Sequence, residues 1–207
     1  MNFTRKEFLF TTLGFLLGGA KKREPFIITV NGSIPASRLG TSLIHEHFLV
    51  DFIGADKISF DRWSREEVAQ KILPYLLEVK ALGVKSVFDC TPAYLGRDVK
   101  LLTRLANKSG LQIITNTGYY GAVGNKYLPA WAFTETPKQL AARWIQEFKK
   151  GIDGTGVRPG FIKISVDADG PLPRFIRKLN KLPLLRTCKL SLTICSHTGI
   201  ASAAIEQ

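Results

Sequence analysis

The chain has 207 residues, of which 45% are hydrophobic and 22% charged, and its net charge is +12. This composition is typical of one soluble globular domain, and no apolar run approaches the roughly 18 residues that a membrane span needs. The positive charge is concentrated in residues 1–23 and 174–190. The remaining chain therefore lacks the basic surface that is typical of a nucleic-acid-binding protein.

The first 20 residues have the pattern of an export signal. Arg5 and Lys6 precede a short apolar stretch at residues 8–17, and small residues suitable for cleavage follow at 18–20. The Arg-Lys pair before Phe-Leu also resembles a variant twin-arginine signal. We therefore expect residues 1–20 to be a signal peptide and the protein to be exported, to the periplasm. A single uncleaved helix is the alternative.

Segments typical of strands and helices alternate along the rest of the chain, as parallel βα units require. The predicted strands are a lead-in strand at 26–30 followed by 42–45, 84–90, 111–115, 160–165 and 190–196. The predicted helices run from a capping box at Ser64 to about residue 82, from 98 to 107, and onward from Thr136. In the third helix, apolar residues at helical spacing predict a buried face: Leu140, Ala141, Trp144, Ile145 and Phe148.

Two histidines, His45 and His47, stand at the end of the first strand after the lead-in. Because a single extended residue separates them, both imidazoles point to the same face, which is an arrangement typical of metal ligands. Lys163 and His197 occupy the ends of two later strands, while Glu46 faces the opposite side and is interpreted as a structural hydrogen-bond acceptor. From the residues alone, a structural histidine pair and a buried or ion-paired Lys163 remain alternatives.

The three cysteines, Cys90, Cys188 and Cys195, have no zinc-site spacing, and their odd number excludes a complete set of disulfides. Cys90 and Cys195 lie in or beside apolar strands, so we predict buried free thiols for both. A nucleophilic Cys195 beside His197 is the alternative.

These motifs resemble those of the phosphotriesterase family of the amidohydrolase superfamily. The resemblance extends over roughly residues 28–199 and includes 91–98 and 116–121, which are similar to the family's loops after strands two and three. It implies an α/β fold in residues 21–207, a partial (β/α)8 TIM barrel with about the first five strands. In such a barrel the active site lies at the carboxyl ends of the strands.

The resemblance also implies the chemistry. His45, His47 and His197 would bind two divalent metal ions, zinc by the preference of imidazole, and Lys163 would bridge them after CO₂ converts it to N6-carboxylysine. A metal-bound hydroxide would attack a phosphotriester, a lactone or a related ester, and no side chain is assigned as a further catalytic group.

Tyr119, Tyr120 and Trp131 are the candidates for contacting this small-molecule ester, with ordinary loop packing as the alternative for each. A full-length member of the family is expected to be a homodimer. No nucleic acid is expected as a partner, and no stable membrane span is expected once the signal is removed.

The length of the chain introduces other hypotheses. Such a barrel needs about 250 residues, and the family's further ligands, a histidine after strand six and an aspartate after strand eight, are not in this sequence. The alternative function is therefore a truncated, inactive homologue with at most a residual metal site. The basic segment 174–190, in which Pro183 interrupts an expected helix, indicates either a reading-frame error or an anion-binding surface.

Overall fold

The computed structural model describes residues 24–167 and 192–198. The predicted export signal, the basic segment 174–190 and Cys188 lie outside the described residues. Within them, parallel strands alternate with helices, so the predicted α/β class is confirmed.

An antiparallel hairpin precedes the barrel, where the sequence predicted one lead-in strand. It consists of β1 (Phe26–Thr29) and β2 (Gly32–Pro35). The turn uses Gly32 at a φ of +115°, a conformation that favours glycine. The N–H of Val30 donates to the carbonyl oxygen of Ile113 at 2.8 Å, which attaches the hairpin to the barrel.

Five barrel strands follow in the predicted order. The elements are β3 (Ser42–Glu46), β4 (Ser86–Asp89), β5 (Gln112–Ile114), β6 (Asn116–Thr117), β7 (Phe161–Val166) and β8 (Thr193–Thr198). All their pairings are parallel, in the orders β3-β4-β5 and β6-β7-β8. Because only Thr115 separates β5 from β6, these two are halves of the third barrel strand, each paired with a different neighbour. The prediction of a partial barrel with the first five strands is confirmed.

Four helices connect the strands: α1 (Arg65–Ala81), α2 (Val99–Ser109), the short α3 (Trp131–Thr134) and α4 (Pro137–Lys150). Ser64 caps α1 by accepting from the N–H of Glu67, but the return bond of a capping box is found instead at the start of α4, between Thr136 and Gln139. Asp98 caps α2, and Gly110 ends it in the left-handed conformation at a φ of +71°.

The helices bury their apolar faces against the sheet. Leu140, Ala141 and Trp144 of α4 are buried as predicted, whereas Ile145 and Phe148 are half-buried. A second apolar cluster joins α2 to the first strands, and its members include Leu101, Leu105, Val87 and Ile113. None of the described helices is long and apolar enough to cross a membrane.

Candidate metal centre

His45 and His47 lie at the carboxyl end of β3. Their ring centroids are 5.4 Å apart, and both side chains retain solvent exposure. The exposed residues Ile44 and Glu46 alternate with the histidines along the strand. This alternation follows from the two-residue period of a strand, which carries the two imidazoles on one face.

Lys163 lies in the middle of β7 and is 1% exposed, although it is a lysine. Its Nζ atom is 3.4 Å from His45 Nε2 and 3.7 Å from the Sγ atom of Cys195, its register partner on β8. His197 follows two residues further along β8, and its ring is perpendicular to that of His45 with centroids 5.7 Å apart. The structure therefore brings the four predicted ligands near one another, although Lys163 lies within its strand and not, as the sequence had predicted, at the strand's end; its side chain extends to His45.

Gly118 fixes the depth at which Lys163 sits. The φ of Gly118 is +114°, and a Cβ atom there would lie 2.0 Å from the carbonyl oxygen of Lys163. Since real Cβ atoms do not approach an oxygen so closely, only glycine allows the third barrel strand to contact the backbone of β7 at this point.

A buried hydrogen-bond chain orients His47. The hydroxyl of Thr91 donates to Asp89 Oδ1 at 3.0 Å, and its Oγ1 atom is also 3.0 Å from His47 Nδ1. When Asp89 is ionised that hydroxyl proton is engaged, so the Nδ1–H of His47 is the donor to Thr91, which leaves Nε2 with a free lone pair. Asn116 fixes this loop by donating to the carbonyl oxygens of Asp89 and Thr91, each at 2.9 Å.

The electrostatics keep the imidazoles neutral. Partial burial, followed by the positive fields of His45, Lys163 and His197, lowers the pKa of His47 to about 4. Burial is also the largest cause that lowers the pKa values of His45 and His197, with Lys163 next in each case. Burial raises the pKa of Asp89 to about 7, against the opposing hydrogen bonds from Thr91 and the N–H of Phe48. Neutral imidazole is the form that binds a metal ion.

Within residues 24–167 and 192–198, no group of three or more His, Cys, Asp or Glu side chains is placed to hold a metal ion by itself. The three predicted histidines therefore do not form such a group on their own, and the fourth predicted ligand, Lys163, is of a residue type outside it. That side chain is buried, and among the described residues its Nζ atom lies near an imidazole and a thiol but near no carboxylate. A buried ammonium needs a counter-charge, whereas a carbamate on Nζ would be an anion with two oxygen donors. The residues present fit that group.

The three predicted substrate-contacting aromatics occupy different places. Tyr120 is adjacent to the metal-ligand candidates, with its ring centroid 6.3 Å from that of His197. Tyr119 is 5% exposed and packs against Trp131 and Trp144 in the apolar cluster beneath α4. Tyr120 is thus the one placed beside a candidate ligand, and Tyr119 and Trp131 pack together away from it; a role in substrate contact stays a prediction for all three.

The cysteines agree with the prediction in part. Cys90 is fully buried and Cys195 is half-buried, and neither forms a disulfide. The thiol of Cys195 contacts Lys163. Because Cys195 and His197 are two residues apart in β8, their side chains lie on the same face of that strand.

A comparison with known protein families gives a match over most of the chain. The model of the Phosphotriesterase family matches residues 25–207. The chain is 26% identical to the aryldialkylphosphatase of Saccharolobus solfataricus over 81% of its length, and 27% identical to the human N-acetyltaurine hydrolase over 85%. It is 26% identical to the phosphotriesterase homology protein of Escherichia coli over 81%.

A structural comparison shows the same fold. The chain matches a double mutant of an organophosphorus hydrolase from Deinococcus radiodurans with a TM-score of 0.72 and 23% identity, over 84% of this chain and 53% of that one. The sequence alignments cover 52% of the Saccharolobus protein and 56% of the Escherichia coli protein. The chain thus spans about half the length of these relatives.

Proposed function

Because the chain belongs to the phosphotriesterase family, we propose that it is a metal-dependent hydrolase domain. Its substrate class is a phosphotriester, a lactone or a related ester, and its ligands are His45, His47, Lys163 and His197. The relatives include an aryldialkylphosphatase and an N-acetyltaurine hydrolase, so the family name alone does not select the substrate.

The observation that carries this proposal is the environment of Lys163. Lysine is almost never fully buried unless its amine is paired. Lys163 is 1% exposed, and its Nζ atom is 3.4 Å from His45 Nε2. Carbamylation by CO₂ gives this side chain a negative charge among three neutral imidazoles. The result is a mixed nitrogen and oxygen donor set that suits zinc.

Two divalent ions held there would supply Lewis-acid polarisation of the phosphoryl or carbonyl oxygen and a water nucleophile that is active at neutral pH. The protein's own contribution is orientation. Thr91 fixes His47 with Nε2 directed away from the Nδ1 hydrogen bond, and Asp89 fixes Thr91 in turn. Tyr120, beside His197, provides an aromatic surface for the apolar part of an ester.

The experiment uses the full chain loaded with zinc in bicarbonate buffer and measures hydrolysis of an aryl phosphotriester and of a lactone. His45→Ala should abolish turnover, whereas Glu46→Gln, which changes the exposed neighbour on the same strand, should retain it. Turnover that survives His45→Ala would contradict the proposed site. Zinc binding without turnover of any ester would support the alternative, an inactive homologue with a residual metal site.

We also propose that residues 1–20 direct export to the periplasm and that a full-length form is a homodimer. The support for export is the basic pair followed by a short apolar stretch and small residues. Amino-terminal sequencing of secreted protein should find a mature start near Lys21, and an intact Met1 would refute cleavage.

A further inference from the structure

Two free thiols lie close together beside the candidate metal ligands. Cys90 directly follows the end of β4, and Cys195 lies in β8. Cys90 belongs to a buried apolar cluster with Ile114 and Phe161, and Cys195 packs against that cluster. The proposed function uses neither thiol. The chemistry of this thiol pair is therefore a question separate from the metal-dependent activity.

Hydrogen bonds hold the two sulfur atoms in place. Lys163 Nζ donates to the Sγ atom of Cys195 at 3.7 Å, and the Cys90 thiol donates to the carbonyl oxygen of Ile44, also at 3.7 Å. The two thiols also interact with each other through a hydrogen bond. The fold thus brings two cysteines into contact that are far apart in the sequence.

The two thiols differ in their access to solvent. Cys195 is half-buried, so a small oxidant can reach its sulfur, whereas Cys90 is 0% exposed. Burial, opposed by the charge of Lys163, raises the pKa of the Cys90 thiol to about 12. A thiol that stays protonated at neutral pH is a poor nucleophile. Cys195 is therefore the thiol that meets an oxidant first, and Cys90 is the neighbour that can react with the product.

We propose that Cys90 and Cys195 form a reversible disulfide when the protein meets a hydroperoxide. The Cys195 sulfur attacks one peroxide oxygen, the O–O bond breaks, and Cys195 becomes a sulfenic acid. The released oxygen takes the thiol proton and leaves as an alcohol, or as water when the oxidant is hydrogen peroxide. The Cys90 sulfur then attacks the Cys195 sulfur, and the hydroxyl group leaves with the Cys90 proton as water. Two thiols are oxidised and one peroxide is reduced.

The disulfide would join two parts of the candidate metal centre. Cys195 is in β8 with His197, and Cys90 lies between Asp89 and Thr91, which orient His47. A crosslink between positions so far apart in the sequence restricts the unfolded chain. The oxidised protein should therefore unfold at a higher temperature than the reduced protein.

The test treats the full chain with a small molar excess of hydrogen peroxide, removes the peroxide with catalase and counts free thiols after denaturation. The chain has three cysteines, so the count should fall from three to one and return to three with dithiothreitol. Peptide mapping should find Cys90 linked to Cys195, and the thermal unfolding midpoint should rise until the bond is reduced. Three remaining thiols, a disulfide that uses Cys188, or irreversible oxidation of Cys195 would overturn the proposal.

Matched variants identify the two partners. Cys188→Ser should still lose two thiols, whereas Cys195→Ser should keep both of its remaining thiols. Cys90→Ala should stop the reaction at the sulfenic acid of Cys195, which dimedone traps. Lys163→Met removes the other group that contacts this sulfur and should still lose two thiols. A covalent link between Cys195 and Lys163 in the unmodified chain, with Cys90 left as a free thiol, would contradict the assignment of Cys90 as the partner.

Discussion

Replacing Gly118 by alanine should displace the strand that carries Lys163. The control is Gly32→Ala, because Gly32 has nearly the same φ, +115° against +114°, but nothing lies within 4 Å of its Cβ position. The left-handed backbone should cost each variant about 1–2 kcal/mol of unfolding free energy. Only Gly118→Ala also places a methyl group 2.0 Å from the carbonyl oxygen of Lys163.

To relieve that overlap, the third barrel strand and β7 must move apart by roughly 1 Å or more. Overpacking of this kind lowers the unfolding free energy by about 1–3 kcal/mol or more. The pairings of β6 with β7, Asn116 with Phe161 and Thr117 with Ile162, would then weaken. We expect Gly118→Ala to lose about 2–5 kcal/mol in urea denaturation and Gly32→Ala about 1–2 kcal/mol. Equal losses in the two variants would refute this account of how the fold positions Lys163.

Three further predictions concern charged groups. Glu147→Gln removes the ion-pair partner of the buried Arg97 guanidinium and should lower the unfolding free energy by about 3 kcal/mol in urea denaturation. The control, Glu66→Gln, removes one partner of an exposed ion pair and should lower it by about 1 kcal/mol or less. Similar losses in the two variants would contradict the buried pairing. The pKa of His47 is lowered to about 4 in the folded state, so the stability that His47 contributes to the metal-free protein is fully present above about pH 6.5 and is lost as the pH falls towards 4. His47→Gln should therefore reduce the slope of unfolding free energy against pH in this range. An unchanged slope would refute the lowered pKa. Lys163→Met replaces a buried amine that has no carboxylate beside it in the described part of the chain, so the metal-free protein should be equally stable or more stable by as much as about 3 kcal/mol. A strong destabilisation in thermal or urea unfolding would show that the amine has a structural partner.

The sequence predicted the features that depend on local pattern. The alternation of strands and helices, the helix from Thr136 and the Gly110 terminus are each encoded in a few neighbouring residues, and the structure contains all of them. The convergence of His45, Lys163 and His197 follows from one rule, that parallel strands present their carboxyl ends at the same edge of the sheet.

The features that the sequence did not predict depend on distant contacts. Asp89, at the end of β4, and Thr91, just after it, orient His47 at the end of the neighbouring strand β3 through hydrogen bonds. Nothing in their local sequence distinguishes them from other polar residues at strand ends. Tyr119 and Tyr120 are adjacent, so they face opposite sides of the chain, and a period of two could have separated the core ring from the one beside His197.

The most direct test of the central claim is zinc binding by the metal-free chain, measured by calorimetry in CO₂-free buffer and again in bicarbonate. If Lys163 binds metal as a carbamate, bicarbonate should raise the zinc affinity of the unmodified chain and have no effect on Lys163→Met, and mass spectrometry under gentle conditions should find one CO₂ added to the Lys163 peptide. Zinc affinity that is the same with and without bicarbonate, in both proteins, would contradict the claim that Lys163 belongs to the metal centre.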